Sequence, residues 1–508
     1  MKRRIVVLTC FVMALLACFN AVSAQTAANE PIEELVVGLT NLPLSMDPIR
    51  DGGLSALAVY SLVFDRLISV DSEGNPIPGL AVSWEAVEPT VWELKLREGV
   101  TFHNGEVFDA ESAKFSIDQT RLDENSQQLS NMSNITDVLI VDSYTIQVVT
   151  EEPMADLPSR MVLVFCYSEK YFNEVGGGSA FALAPVGTGP FVYVDGEADN
   201  FINLERNENY WGEKPNVLKL RALHLPDATA RVTSVESGEV DVAYVVDPEQ
   251  ATRLAEKGFN VIDKPLGQAF VYFFRTGLDT PLSNKLVRQA INYAVDKDEI
   301  VDALFYGYTS PLQGQPVGSN ANGFDASIPA YEYDVEKAKS LLAEAGFPDG
   351  FTIYLDTTSG VVPKDKDAAE VIAGQLSAIG IEVVIEINER GVFFDKLFNA
   401  NMSEIWSLSL NYAPTMNLQN PLFNFTCGTA HQSNCDPEYD ELQAKWASEF
   451  DPELKKVYAG EALKKIHDDA YGLFLWQVPG VHVSAKALSG LVINSDYTMD
   501  LTNVSYNK

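Results

Sequence analysis

Past its first two dozen residues the chain has no run of 18 or more apolar residues, so nothing there is long enough to cross a bilayer as a helix. Histidine is scarce. His103, His224, His431, His467 and His482 are scattered at spacings that form no metal motif. Neither HExxH nor a G-x-S-x-G nucleophile turn is present, which leaves no recognisable hydrolase apparatus. We therefore expect a non-enzymatic protein with no cofactor and no metal. Basic charge is also short: 36 Lys and Arg stand against 71 Asp and Glu, a net charge of −35. Such a chain repels nucleic acid and anionic membrane surfaces, so neither is an expected partner. The acids are spread along the whole length, which suits solubility better than a dedicated acidic site. No fixed-period repeat and no Pro-rich or Ser-rich linker is visible, so the domains of this 508-residue chain are expected to be interleaved.

What is present begins with a leader. Lys2, Arg3 and Arg4 precede an apolar stretch from Ile5 to Phe19, and Val22-Ser23-Ala24 supplies small residues, so residues 1–24 are expected to be a signal peptide. The alternative is a lipoprotein, with LLAC at Leu15 to Cys18 as lipobox and Cys18 lipidated. Removing the three basic leader residues leaves a charge of −38. Cys166, Cys427 and Cys435 then remain. The close pair Cys427 and Cys435 is expected to form a disulfide in an oxidising compartment. A metal site is the rival, since His431 lies between them, but no fourth ligand is near.

The segment Trp92 to Phe102 alternates, with Trp92, Leu94 and Leu96 on one face, and His103-Asn104-Gly105 follows as a tight turn. Asp109 to Asp118 reads as a helix packing Ala110, Ala113, Phe115 and Ile117, and Asn284 to Ala294 as another with Leu286, Val287, Ala290, Ile291 and Ala294 inward. An α/β succession comes next: a helix over Val335 to Ala345 stopped at Gly346, a strand over Phe351 to Leu355, a helix from about Asp367, and a strand over Ile381 to Ile387. Asp451 and Pro452 are the cap and first residue of a last long helix, with Leu454, Val457, Leu463 and Ile466 available to a core.

Three strings carry a resemblance. Gly79 to Ile117 (GLAVSWEAVEPTVWELKLREGVTFHNGEVFDAESAKFSI) has a W-x-L-x-L-R-x-G-V-x-F-H-x-G core. GTGPF at Gly187 to Phe191 precedes LERNENYWGEKP at Leu204 to Pro215. VRQAINYAVDKDEIV at Val287 to Val301 precedes YDVEKAKSLLAEAGF at Tyr333 to Phe347. In this order they resemble the family 5 extracellular solute-binding proteins, the dipeptide, oligopeptide and nickel receptors of ABC importers. The resemblance implies an α/β, periplasmic binding protein type II-like fold of the cluster C type: two lobes with mixed sheets flanked by helices, in three subdomains. Lobe I would comprise 25–273 and 477–508 with an inserted subdomain over approximately 75–195. Lobe II would comprise 274–476, with chain crossings near Phe274 and Trp476. It further implies a periplasmic, monomeric receptor that captures a small organic solute between its lobes and delivers it to an ABC permease and ATPase complex.

Candidate solute contacts follow from the same resemblance. Where peptide-binding relatives place an Asp-Tyr-x-Asp-Pro-like string after a Trp, this chain has Asn411-Tyr412-Ala413-Pro414. A buried ammonium needs a carboxylate, so the departure argues against ordinary dipeptides with a free amino terminus. Trp406 could stack on a ring, and Ser407, Ser409 and Asn411 could exchange hydrogen bonds, with Tyr412 beside them. Leu44 and Ser45 lie in the first-strand loop, Lys364 lies in the segment Thr357 to Glu370 where dipeptide receptors place an Arg that holds the ligand carboxylate, and Arg390 follows a strand, where it could pair with an anion. Core packing for Trp406 and a solvated surface for Arg390 are the competing readings. Gly187, Thr188 and Gly189 are expected to set backbone geometry. A peptide or amino-acid conjugate is the expected solute and an oligosaccharide the alternative. A secreted sensor or chaperone without a permease would use the same fold.

Overall fold

The computed structural model describes residues 30–71 and 74–507, so the expected leader and Cys18 lie outside the described residues. A seven-stranded mixed sheet is built around Ile32–Leu39, which runs parallel to Val217–His224 on one side and Val242–Ala243 on the other. Val481–Ser484 and Asn260–Asp263 extend one edge, and Phe201–Arg206 and Phe191–Glu197 the other. A second sheet has the order Ile381–Asn388, Phe351–Thr358, Ile405–Asn411, Gln268–Phe274, Gly472–Gln477. Its first three strands are parallel, because the helix Asp365–Ser377 crosses over between Phe351–Thr358 and Ile381–Asn388. Helices cover both of its faces, so Gln268–Phe274 (QAFVYFF) and Gly472–Gln477 (GLFLWQ) are buried almost throughout. These are the mixed, helix-flanked sheets expected of the α/β fold.

A four-stranded antiparallel sheet, Ala81–Glu88, Val91–Leu96, Thr145–Thr150 and Ile135–Asp142, forms a smaller unit. Its core draws on residues from Leu67 to Cys166, while Phe191–Glu197, at the end of the span expected for it, belongs to the seven-stranded sheet.

The chain passes between the two large sheets at 264–267, upstream of the expected Phe274, and again at 478–480, next to the expected Trp476. Phe274 is the far end of the strand that the first passage enters, and Trp476 stands just before the end of the strand that leads into the second; both are buried. Pro265 with Gly267, and Pro479 with Gly480, interrupt the strands. The two passages are tied together: Lys264 N donates to Gly480 O at 3.0 Å, Leu266 N to Val478 O at 3.0 Å, and Val478 N to Gln268 O at 2.9 Å. A Cβ on Gly480 would stand 2.2 Å from Lys264 O, so only glycine permits this approach.

Individual elements follow their sequence signals. Trp92, Leu94 and Leu96 are buried on one face of their strand, although it ends at Leu96, before the chain turns at Gly99. The helix Pro452–Asp468 starts at Asp451, whose carboxylate accepts from Glu453 N and Leu454 N. Leu463 and Ile466 enter the core, but Leu454 and Val457 are exposed, and Val457 borders a groove.

Candidate functional site

The sequence motifs of the first lobe converge on one buried carboxylate. Asp65 accepts from Thr188 Oγ1 at 2.9 Å, Tyr210 Oη at 3.0 Å and Trp211 Nε1 at 2.7 Å, and burial raises its pKa against those bonds. His103 clasps the neighbouring turn: its Nδ1 accepts from Gly187 N, so Nε2 donates to Gly189 O at 3.0 Å and the ring is neutral. A Cβ on Gly187 would lie 2.1 Å from Val63 O, and one on Gly189 2.6 Å from Val63 C. These motifs therefore lock the backbone, as expected of Gly187 to Gly189, and hold no open site.

Strand Ile405–Asn411 separates the candidates onto two faces. Trp406 is fully buried on one, its ring stacked on Phe273 at 4.4 Å with 8° between planes and set against His431 at 4.9 Å. Trp406 is a core residue here. The Cys427–Cys435 disulfide closes the loop that brings His431 to it. His431 Nε2 donates to Asn424 Oδ1 and Nδ1 accepts from Ser433 Oγ, which engages both nitrogens, and burial lowers its pKa to about 4. The metal alternative fails on that ground.

Ser407 and Ser409 point to the opposite face. Ser407 shares a hydrogen bond with Thr357 at 3.0 Å. Ser409 stands directly across from Phe270, and Trp476 stands across from Phe270 on its other side, with the two rings 4.7 Å apart. Ser409, Phe270 and Trp476 thus form a row near the ends of their strands closest to the passages between sheets. Ser409 Oγ and Trp476 Nε1 are buried and without a hydrogen-bond partner on this face, while Tyr272 Oη lies against Thr357. Leaving such a group unmade costs about 1–3 kcal/mol, and a polar guest is one way to relieve it.

The other candidates are dispersed. Lys364, in a left-handed conformation at φ 62°, pairs with Asp247 of the first lobe at 3.4 Å. It is the only ion pair between the two large-sheet lobes among the described residues. Its loop is wound onto Asp365, whose carboxylate accepts from Thr358 Oγ1 at 2.6 Å and from Gly360 N at 2.8 Å. Asn411 turns back on its own chain, Oδ1 accepting from Ala413 N. Tyr412 is buried among the passages, donating to Asn320 Oδ1 at 2.9 Å and accepting from Gly318 N at 3.2 Å. Arg390 is exposed on an outer helix with its guanidinium 5.8 Å from the Phe394 ring, so the solvated reading describes it. Leu44 is 86% exposed at the mouth of the first-strand loop, and the Ser45 carbonyl accepts from Tyr60 Oη at 2.6 Å. Phe270, Trp476 and Asp247 were not singled out as contacts from sequence. An apolar run such as QAFVYFF signals burial and says nothing about which side chain meets a guest.

Two α/β lobes joined by paired passages, with unsatisfied polar groups at strand ends facing the junction, are the architecture of a clamp that binds small molecules, and the fold is that of the type II periplasmic binding proteins. It superposes on HbpA2 from Haemophilus parasuis with TM-score 0.82 at 23% identity, covering 94% of this chain and 100% of that one. A dipeptide-binding protein from Pseudoalteromonas in complex with Met-Leu gives TM-score 0.75 at 22% identity over 94% and 100%. In sequence the chain is similar to the glutathione-binding protein GsiB of Pectobacterium atrosepticum, 26% identical over 91% of this chain and 92% of that one. It is 30% identical to heme-binding protein A of Haemophilus influenzae over 72% of each. The profile of the bacterial extracellular solute-binding proteins, family 5 Middle, matches residues 75–429, and the chain belongs to that family.

Proposed function

We propose that the protein is the exported receptor of an ABC importer and holds a peptide-like or amino-acid-conjugate solute over the Ser409–Phe270–Trp476 row, releasing it chemically unaltered to the permease. The observation that carries this is the pair of buried, unpartnered groups, Ser409 Oγ and Trp476 Nε1, on either side of one aromatic ring. An indole N–H only donates and a hydroxyl can donate, so the pair suits a solute carbonyl, with Phe270 taking the apolar flank. Similarity to glutathione-binding and dipeptide-binding proteins supports a solute of amide character. Lys364 already holds a carboxylate partner in Asp247, and Asn411 replaces the acid that would meet a free amine, which together favour solutes neutral at those points.

Thermal unfolding in the presence of dipeptides, glutathione conjugates, opines and oligosaccharides tests the reading. A solute at a hundredfold its Kd stabilises the folded state by about 2.7 kcal/mol. Peptide-like compounds should raise the melting temperature of the native protein, and Ser409→Ala and Trp476→Phe should each weaken binding about tenfold, the loss of one hydrogen bond to a buried acceptor. Stabilisation by sugars alone would overturn the solute class.

A further inference from the structure

A cavity of about 1190 Å³ lies outside that row, between the four-stranded unit and the second lobe. One wall is the helix Pro452–Asp468, the other is formed by Trp84 and the turn around Asp156, and Trp446 and Phe324 supply aromatic surface. Contacts between the two bodies flank it: Asn322 Nδ2 donates to Asn75 Oδ1 at 3.1 Å, Ala155 N to Ala447 O at 3.4 Å, and Trp92 stacks on Phe450 at 5.9 Å. Within the cavity, Lys455 holds its ammonium 5.0 Å over the Trp446 ring. No carboxylate pairs with it among the described residues. Of the carboxylates that line the cavity, Asp156 is engaged by Arg160 at 2.8 Å and Asp468 by Lys464, and Asp325, Glu453 and Glu461 make no ion pair with Lys455. Burial depresses the Lys455 pKa, as it does for a cation lacking an anionic partner. On the same helix Lys464 is paired with Asp468, which leaves Lys455 as the half-buried cation that still wants an anion.

We propose that this groove is a second binding site, for a small aromatic carboxylate whose ring lies against Trp84 and whose carboxylate meets Lys455 where that ammonium caps the Trp446 ring. An ammonium sandwiched against an indole is only partly compensated by the ring, and a carboxylate adds a charge-assisted bond in surroundings of low dielectric. Because the walls belong to different bodies, an occupant contacts both and favours the arrangement in which they are close. By linkage it then changes affinity at the Ser409 row, and a solute there changes affinity in the groove by the same factor.

Titration calorimetry of the full chain with 3-phenylpropionate, and with phenethylamine as the ring without the acid, tests the site. 3-Phenylpropionate should bind saturably and phenethylamine should not. Lys455→Met should weaken 3-phenylpropionate at least tenfold, Lys455→Arg should retain it, and Trp476→Phe, in the first site, should leave it unchanged. Circular dichroism and the melting temperature of each variant separate loss of binding from loss of fold. The proposal is overturned if 3-phenylpropionate does not bind, if phenethylamine binds equally, if Lys455→Met binds as tightly as the native chain, or if Lys455→Arg behaves as Lys455→Met does. If Trp476→Phe abolishes binding while Lys455→Met does not, the molecule sits in the first site and the groove proposal fails while the first reading stands.

Discussion

Lys297 shows what burial does to a single charge. It opens the helix Lys297–Phe305, is 7% exposed, has no hydrogen-bond partner, and its ammonium lies 5.8 Å from the Tyr331 ring. Desolvation lowers its pKa to about 8 from the usual 10.5. Below pH 8 both folded and unfolded chains carry the proton, and the fold bears the whole penalty of about 3 kcal/mol. Between pH 8 and 10.5 only the unfolded chain holds it, so this group's contribution to stability rises with pH. Lys297→Met should therefore raise the urea midpoint at pH 7, and the gap between variant and native protein should close as pH approaches 10.5. A gap that is constant with pH would show that the ammonium is not the cause. His482 works at the acid end: fully buried, its Nδ1 accepting from Val245 N, it has a pKa lowered to about 3. Its neutral form is required by the fold, so stability is lost as pH falls from 6.5 toward 3, and His482→Gln should flatten that limb of the stability profile measured by urea unfolding. Neither residue was legible as special in the sequence, because burial of a polar group is decided by partners distant along the chain.

Among elements, the short loops explain more than their length suggests. The Cys427–Cys435 bond closes a loop with a sequence separation of 8, and chain entropy alone makes it worth about 2–3 kcal/mol. Its loop also delivers His431 to the Trp406–Phe273 stack. Cys427→Ser with Cys435→Ser should lower stability by at least that amount without changing the first site's solute preference, measured by denaturant unfolding and calorimetry. An equal stability would mean the loop packs unaided. Element types were readable where period and caps agreed: Asp451 caps its helix as expected, and Asp109, Asn284 and Asp334 cap helices expected to begin at or just after them. The faces of Ile405–Asn411 were not readable, since IWSLSLN is covered on both sides and alternation cannot say which side meets a core and which a guest. Leu454 and Val457 are exposed for a related reason: helical spacing marks a stripe but not how much of it a neighbour covers.

For the whole molecule, the order of three motif strings carried the fold, because each is tied to a backbone requirement: His103 of the first clasps the turn at Gly187 to Gly189, Thr188, Tyr210 and Trp211 of the second meet Asp65, and the third supplies capped helices of the second lobe. The second passage lies next to Trp476, as expected, whereas the first lies upstream of Phe274, because the apolar strand runs right up to it and only Pro265 and Gly267 mark the change of sheet. Those paired passages, with Lys364 and Asp247 as the only ion pair between the large-sheet lobes among the described residues, are where a relative movement of the lobes would be accommodated. Small-angle scattering should show a smaller radius of gyration with solute than without it, and an Asp247→Asn change should leave the solute-bound value intact. Native mass spectrometry puts the central claim most directly to trial. After incubation with a stabilising peptide-like solute, the protein should gain the mass of one intact solute molecule, and Ser409→Ala with Trp476→Phe should abolish the gain. Equal uptake by that double variant, or conversion of the solute into a product, would contradict the account.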